Sequence, residues 1–119
     1  MGFILYLIAK IVTPTFNFVG FITILFKPKA VRNRVWKDLA ISKDQYSNVS
    51  FQFPLNLLML KKNSEYLFGN PDETISSVYG KNKRAGTLTR FGNYWANWLN
   101  KREKNHVEIA IEDDETNNF

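Results

Sequence analysis

The sequence predicts a mainly α-helical protein, in which an apolar N-terminal helix is followed by a small helical domain. Three observations support this prediction: a long apolar stretch near the N-terminus, apolar residues recurring at intervals of three and four in later segments, and no comparably strong alternation of the kind that strands show. With 119 residues, the chain has room for one modest domain beside the apolar stretch. The absence of cysteine excludes disulfides, thiolate catalysis and cysteine-based zinc sites.

The apolar N-terminal segment, residues 1–26, predicts a membrane anchor. It carries a single charge, Lys10, and it is longer than the roughly 20 apolar residues that a helix needs to cross a bilayer. Pro14 and Asn17 are tolerated in membrane helices, where neighbouring helices supply partners for the freed polar groups. Two alternatives stay open: an arm buried against protein, and a secretory signal peptide, although a basic start and a small-residue cleavage site are missing.

A basic segment, residues 27–43, follows the apolar stretch. Over residues 30–40 apolar side chains recur at helical spacing, which predicts a short amphipathic helix, with Trp36 either at the membrane interface or in a soluble core. Cations beside an apolar span favour anionic lipid headgroups, and the positive-inside rule places the C-terminal domain in the cytoplasm. The predicted headgroup-binding residues are Lys27, Lys29, Arg32, Arg34 and Lys37.

The helical domain is predicted for residues 44–115, before a disordered tail at residues 116–119. Residues 51–60 form a second apolar run that is too short to span a bilayer, so we expect it in the core rather than as an interfacial dip. Residues 86–104 predict the clearest helix, capped by Thr87, and residues 105–115 predict another, capped by Asn105. The clearest helix carries an apolar face expected to be core rather than a base-stacking platform: Leu88, Phe91, Trp95, Trp98 and Leu99.

The stretch GNPDETISSVYGKNK, residues 69–83, predicts a well-specified helix start. Asn70 is the expected N-cap, Pro71 fits the first helical position, and Glu73 completes a capping box three residues after the cap. Gly80 and Asn82 are expected to end the helix. The remaining polar side chains are then available to hold a neighbouring segment, either the basic residues 81–84 or the turn at residue 106.

The residues that could carry chemistry do not predict an enzyme. The chain has one histidine, His106, and a metal site made with Glu108 and Glu112 is disfavoured because Glu108 lies on a different helix face. Ser76 and Ser77 lack a G-x-S-x-G context, and no glycine-rich phosphate motif is present. We therefore expect no catalytic residues, no metal and no cofactor.

Three short elements resemble a family of small, uncharacterised phage and prophage proteins. DQYSN (residues 44–48), DETISS (residues 72–77) and NHVEIAIEDDE (residues 105–115) match, in order, that family's DQ-x-x-N, G-x-P-D-E-T-I-S-S and NHC-x-x-AIE-x-DE elements. Val107 stands where the family often has cysteine, which removes any role that needs a thiol. The resemblance implies a viral origin, but it supplies no mechanism. It implies that Asp72, Glu73, Thr74 and Ser76, which form the interaction motif together with the expected cap Asn70, meet a defined partner inside or outside the chain.

These features together predict a non-catalytic, membrane-anchored phage protein that is a structural or assembly component of the virion. Its expected partners are membrane lipids and other phage structural proteins, in a virion internal membrane or the inner membrane of the infected host. One alternative is nucleic-acid binding by residues 27–37 together with Arg90, Lys101 and Lys104. Another is a soluble capsid-internal protein with a buried hydrophobic arm.

Overall fold

The prediction of a mainly α-helical chain is confirmed. The computed structural model describes residues 1–113, and this range contains six helices and no strand. Contacts divide the chain into two compact units, Met1–Leu39 and Ala40–Phe119, and the predicted tail at residues 116–119 lies outside the described residues. The helices are α1 (Gly2–Leu25), α2 (Lys29–Ser50), α3 (Gln52–Met59), α4 (Ile75–Ala85), α5 (Arg90–Arg102) and α6 (His106–Ile109).

Helix α1 has 24 residues, runs through Pro14 without interruption, and has no buried residue. Its length and composition suffice to cross a membrane, a test that signal sequences and core helices of soluble proteins also pass.

Helix α2 extends ten residues beyond the amphipathic segment that the sequence predicts, to Ser50. The apolar periodicity fades after Leu39, but no glycine or proline follows until Pro54, so nothing interrupts the helix where its pattern becomes polar. Within the first unit, the ring of Trp36 lies 5.5 Å from that of Phe21 on α1. The side chain of Trp36 is 37% exposed, and the two alternatives for it stay predictions.

The hydrophobic core of the second unit is small and draws on α3 to α6 and the loop before α4. Two glycines allow the close approaches: a Cβ on Gly80 would lie 2.1 Å from the carbonyl oxygen of Val107, and one on Gly92 would lie 2.4 Å from that of Met59. Helix α4 therefore packs directly on α6, and α5 on the end of α3. The buried hydrophobic residues are Met59, Leu60, Phe68, Val78, Tyr79, Leu88, Ala96 and Val107.

The predicted helix boundaries around the DETISS motif are wrong. Helix α4 begins after Thr74, whose hydroxyl accepts the N–H of Ser77 at 3.2 Å, whereas Asn70 and Glu73 precede the helix and do not form a capping box. It ends at Ala85 and is followed by Gly86, the C-cap, whose φ of 71° is left-handed, so Gly80 and Asn82 both lie inside the helix. The cap of α5 is likewise Thr89 rather than Thr87.

The predicted apolar core face is only partly correct: Leu88 is buried in the core and Leu99 packs against it, but the three aromatic residues do not. Phe91, Trp95 and Trp98 are exposed, whereas Gly92 and Ala96 are the buried residues of this helix. Side-chain size explains the difference, because only small residues let the α3 backbone approach as closely as it does here. The second apolar run, predicted to lie in the core, does so only in part. Its last two residues, Met59 and Leu60, are in the core, whereas Phe53 and Leu57 of α3 are exposed.

Candidate functional site

The three elements that resemble phage proteins meet in one hydrogen-bonded cluster. The end of α2 supplies Asp44 and Asn48, the DETISS segment supplies the loop and first turn of α4, and the C-terminal segment supplies His106 and Glu112. Residues about 30 and 60 positions apart in the sequence are thereby brought into contact. We call this group the motif cluster, and its side chains are Asp44, Asn48, Glu73, Thr74, Ser76, Ser77, Lys81, Glu103, His106 and Glu112.

Asn48 fastens the end of α2 to the loop before α4. Its side chain is fully buried; its Oδ1 accepts the N–H of Gly69 at 3.0 Å, and its Nδ2 donates to the carbonyls of Asn70 at 3.2 Å and Glu73 at 2.7 Å. One turn earlier, Gln45 donates to the carbonyl of Asp72 at 2.9 Å. These contacts satisfy main-chain groups that the loop cannot satisfy for itself.

Asp44 caps the start of α4 from outside that helix. Its Oδ1 accepts the N–H of Ile75 at 3.0 Å, and its carboxylate also bonds the N–H of Ser76. Burial raises the pKa of the Asp44 carboxyl above its usual value, although these hydrogen bonds and the nearby His106 act in the opposite direction. A carboxylate here is aligned with the positive end of the helix dipole.

A buried ion pair lies at the centre of the motif cluster. The Nζ of Lys81 is 2.6 Å from Oε1 of Glu73, and the side chains are 3% and 0% exposed, respectively. Ser77 donates its hydroxyl to the same oxygen at 2.7 Å and accepts the N–H of Glu112 at 2.9 Å. The other oxygen of Glu73, Oε2, is buried without a hydrogen-bond partner within residues 1–113.

A chain of contacts between side chains, which we call the relay, runs from Ser76 through His106 to Glu103. The Oγ of Ser76 is 3.0 Å from Nε2 of His106, and Nδ1 of His106 is 2.7 Å from Oε2 of Glu103. Asp44 also approaches the Ser76 hydroxyl, at 3.4 Å. Hydroxyl, imidazole and carboxylate thus follow one another in the order that serves a serine nucleophile in hydrolases.

The surroundings of Ser76 do not supply the remaining parts of such a catalyst. Acyl transfer needs free N–H donors aimed at a developing oxyanion. Here the N–H groups of Thr74, Ile75, Ser76 and Ser77 donate to side chains of the protein itself. The donors at the start of α4 are therefore occupied, and Ser76 is only 7% exposed and close to a carboxylate.

No group of three histidine or acidic residues within the described part of the chain is arranged to hold a metal ion. The set considered from the sequence is dispersed over separate partners. His106 bonds Ser76 and Glu103, Glu108 pairs with Lys83 at 2.5 Å, and Glu112 accepts the hydroxyl of Thr74 at 3.0 Å.

The motif residues named from the sequence have distinct positions. Glu73, Thr74 and Ser76 belong to the motif cluster, and the contact of Ser76 with His106 joins one of the two neighbours expected for it. Asn70 accepts the N–H of Asp72 at 3.0 Å, which makes a tight turn before the helix, and Asp72 is exposed. Sequence reasoning assigned no role to Asp44 or Asn48 although both lie in a resemblance element, and it treated Lys81 only as part of a basic stretch.

The five basic residues after α1 are not equivalent. Lys27, Lys29, Arg34 and Lys37 are exposed, whereas Arg32 is partly buried and donates to the carbonyl of Leu25 at 3.3 Å. Arg32 thereby satisfies an acceptor at the C-terminal end of α1. The other four remain accessible to anionic groups.

Comparisons with protein-family models, with curated proteins and with solved structures find no match for this chain. The resemblance to phage proteins therefore stays a prediction from the motifs.

Replacing Lys81 by Met should destabilise the second unit strongly, because the Glu73 carboxylate would remain buried without its cation. Removing one partner of a buried pair costs about 3–5 kcal/mol, a large part of the 5–15 kcal/mol that holds an ordinary protein folded. Denaturant unfolding of the full chain in a neutral detergent, followed by circular dichroism, measures the loss.

Lys83→Met is the matched control for this experiment. Lys83 pairs with Glu108 on the surface of the same unit, with side chains 32% and 41% exposed, so its removal should cost no more than about 1 kcal/mol. Equal losses for the two variants would show that the Glu73–Lys81 pair has no special weight.

Replacing Asp44 by Asn should change how stability depends on pH. Because the pKa of Asp44 is raised in the folded protein, its stabilising contribution is complete below its ordinary pKa of 3.8 and declines as the pH rises through the folded value. The parent should therefore lose stability relative to Asp44→Asn as the pH increases. Unfolding free energies of both proteins across the acidic range give this difference.

Subtracting the unfolding free energy of Asp44→Asn from that of the parent at each pH isolates the contribution of Asp44 from carboxylates whose effect on stability has the opposite pH dependence. Lys83 lowers the pKa of Glu108, and Arg84 lowers that of Asp113, so both carboxylates favour folding at higher pH in parent and variant alike. A difference that is constant with pH, or that grows in the parent's favour, would contradict the assignment.

Proposed function

We propose that this chain is a non-catalytic, membrane-anchored protein that serves as a structural or assembly component. The observation that carries this proposal is α1, a helix of 24 residues with no buried residue. A helix of that length extends about 36 Å at 1.5 Å per residue, against roughly 30 Å for the hydrocarbon core of a bilayer.

The exposure of α1 is the physical reason for assigning it to lipid. Phe3, Phe16 and Phe18 are 72%, 70% and 66% exposed, and apolar residues continue on all sides of the helix. Apolar surface that stays in water forgoes a burial free energy of roughly 25 cal/mol for each Å². Soluble monomers rarely expose apolar patches of this extent. Lipid removes that cost without requiring another protein.

The basic residues that follow α1 support both an orientation and a ligand. Four of the five are exposed, and each charge near an anionic bilayer surface contributes about 1 kcal/mol. By the positive-inside rule these residues remain on the cytoplasmic side, which places the second unit there as well. The basic segment then binds the headgroups of anionic lipids.

The phage setting rests on the sequence resemblance. The motif cluster supports the resemblance, because the three resembling elements contact one another in the folded chain. A unit locked by buried polar contacts suits a component that presents a fixed surface to neighbouring viral proteins.

The relay from Ser76 to Glu103 favours one other function, serine-dependent acyl hydrolysis. The distances within the relay support it, and the occupied N–H donors at the start of α4 count against it. We assign the relay to structure, with the hydrogen bond of Ser76 joining α4 to His106, the first residue of α6.

The anchor is tested by fractionating cells that produce the full chain. The protein should remain with the membranes through alkaline carbonate and be released by detergent. Val12→Arg with Phe16→Arg should abolish this retention, because a charge near the centre of a membrane helix costs roughly 2.5–3.5 kcal/mol.

Leu39→Arg, on the polar helix α2, is the matched control and should leave retention unchanged. The intact mass of the recovered protein distinguishes an anchor from a cleaved signal peptide. Release of the parent protein by carbonate, or loss of its N-terminal residues, would overturn the proposal.

The structural role of the relay is tested with a fluorophosphonate probe that labels activated serines. We expect no labelling that depends on Ser76, while Ser76→Ala and His106→Gln each lower stability by about 1 kcal/mol through a lost hydrogen bond. Ser77→Ala, which removes contacts to Glu73 and Glu112, serves as the comparison for a serine with a purely structural role. Labelling that disappears in Ser76→Ala while stability is unchanged would establish the hydrolase instead.

A further inference from the structure

Helix α5 carries an exposed aromatic face that neither the core nor the motif cluster uses. Phe91, Tyr94, Trp95 and Trp98 are 47%, 62%, 37% and 38% exposed. Their rings meet edge to face, with centroids 5.7–6.3 Å apart along the series. We call these four residues the aromatic face.

The orientation of α5 makes this exposure a fixed property of the fold. The side of α5 that faces inward is Gly92 and Ala96, and Gly92 lies against the main chain of Met59. Turning the aromatic residues inward would place bulky rings near Gly92, where even an added Cβ would lie 2.4 Å from the carbonyl oxygen of Met59. The aromatic face therefore stays at the surface.

All charged residues of α5, the helix that carries the aromatic face, are basic. Helix α5 contains Arg90, Lys101 and Arg102 and no acidic residue. The guanidinium of Arg102 lies 4.8 Å from the centre of the Trp98 ring, a cation–π contact. Two carboxylates near the end of this helix already have partners: Glu103, directly after Arg102, contacts His106 at 2.7 Å, and Glu108 is held by Asn100 at 2.8 Å and by Lys83 at 2.5 Å.

A shallow groove of about 500 Å³ adjoins this surface. Its lining combines two rings of the aromatic face with amides and a cation: Tyr94, Trp98, Asn97, Asn100 and Lys101. Aromatic sides with a polar, cationic end match a ligand that has an apolar part and an anionic part.

We propose that the aromatic face and its flanking cations dock on the surface of an anionic phospholipid bilayer. Tryptophan and tyrosine are enriched at the headgroup level because their rings are apolar and their N–H or O–H groups stay hydrated. The groove receives a headgroup phosphate, with Lys101 as its cation. This contact is a second membrane-binding site beside α1 and the basic segment, and it rests on the proposed function because the anchor keeps the second unit near the bilayer.

Lipid fits this surface better than nucleic acid or a protein. Bases stack on rings interleaved with charge, whereas here four aromatic residues are continuous and the cations lie at the two ends of the helix. Helix α3, which packs against α5, exposes further apolar residues in Phe53 and Leu57, and no charge is present on that helix.

Tryptophan fluorescence of the full chain, reconstituted at one copy per lipid nanodisc, tests the proposal. The Trp36→Phe background leaves Trp95 and Trp98 as the only reporters. In discs of phosphatidylcholine with phosphatidylglycerol, lipids brominated near the headgroup should quench their emission, and aqueous acrylamide should not. In pure phosphatidylcholine this quenching should weaken.

Charge variants supply the matched comparison. Lys101→Gln with Arg102→Gln should shift the ratio of docked to undocked protein by about fivefold per charge removed. Lys62→Gln with Arg84→Gln removes the same charge from exposed positions outside α5 and should leave quenching unchanged. The carbonate extraction of the same variants reports on the anchor, so that failure of docking and failure of anchoring are separate results.

Three outcomes would overturn the proposal. Emission that acrylamide quenches and brominated lipid does not would leave the aromatic face in water. Emission that neither quenches would assign the face to a protein contact, and a shift of labelled DNA by the parent but not by the Lys101, Arg102 variant would assign it to nucleic acid.

Discussion

The fold of the second unit depends on hydrogen bonds that asparagine side chains make to the main chain of residues 60–74, a connection without helix or strand. Such a connection between buried elements would otherwise leave polar groups unpaired, at about 1–3 kcal/mol for each. Asn48 serves Gly69, Asn70 and Glu73, and Asn56 exchanges two hydrogen bonds with Phe68 at 2.7 and 3.0 Å. Asn82 donates to the carbonyl of Tyr66 at 2.7 Å and accepts from Thr87. Three helices, α2, α3 and α4, are thus joined through one loop.

The ion pair between Glu73 and Lys81 builds on that loop. Asn48 holds the main chain of Glu73, so the carboxylate is directed inward toward Lys81 and Ser77. Burying two charges costs more than their attraction returns unless the remaining polar atoms are also bonded, and Oε2 of Glu73 has no partner in the described part of the chain. The pair is better understood as fixing one arrangement of the loop and α4 than as a source of net stability. An apolar pair of similar size would fill the space, but it would not determine which residue of the loop faces α4.

The sequence predicted the elements that follow from composition and periodicity, and it failed where a single contact decides. The apolar length of α1 and the helical character of the chain could be read directly, because each depends on many residues together. The start of α4 could not, since Asn70, Thr74 and Glu73 all have the chemistry of a helix start and only the distant Asp44 and Asn48 select among them. Hydrophobicity likewise assigned Trp95 to the core, whereas the close approach of α3 required the small side chains of α5. The turn at residue 106 could be named as a neighbour of Ser76, but the part of Glu103 in the relay could not, because Glu103 follows Ser76 by 27 residues and joins it only through His106.

The second unit has an unusual distribution of polarity, for which the proposed docking on a bilayer would supply a physical reason. Its interior contains the charged and amide groups of Glu73, Lys81, Asn48 and Asn82, while the aromatic face of α5 lies outside. A soluble domain of this size has little apolar burial from which to draw stability, so leaving four large aromatic residues in water is a cost that the fold does not recover by itself. Docking on a bilayer surface, as proposed, would recover it, since aromatic rings at the headgroup level are transferred from water while their polar atoms stay hydrated. The buried hydrogen bonds then have a complementary role: they hold the unit in one shape without using the aromatic residues, which keeps the aromatic face available at the surface.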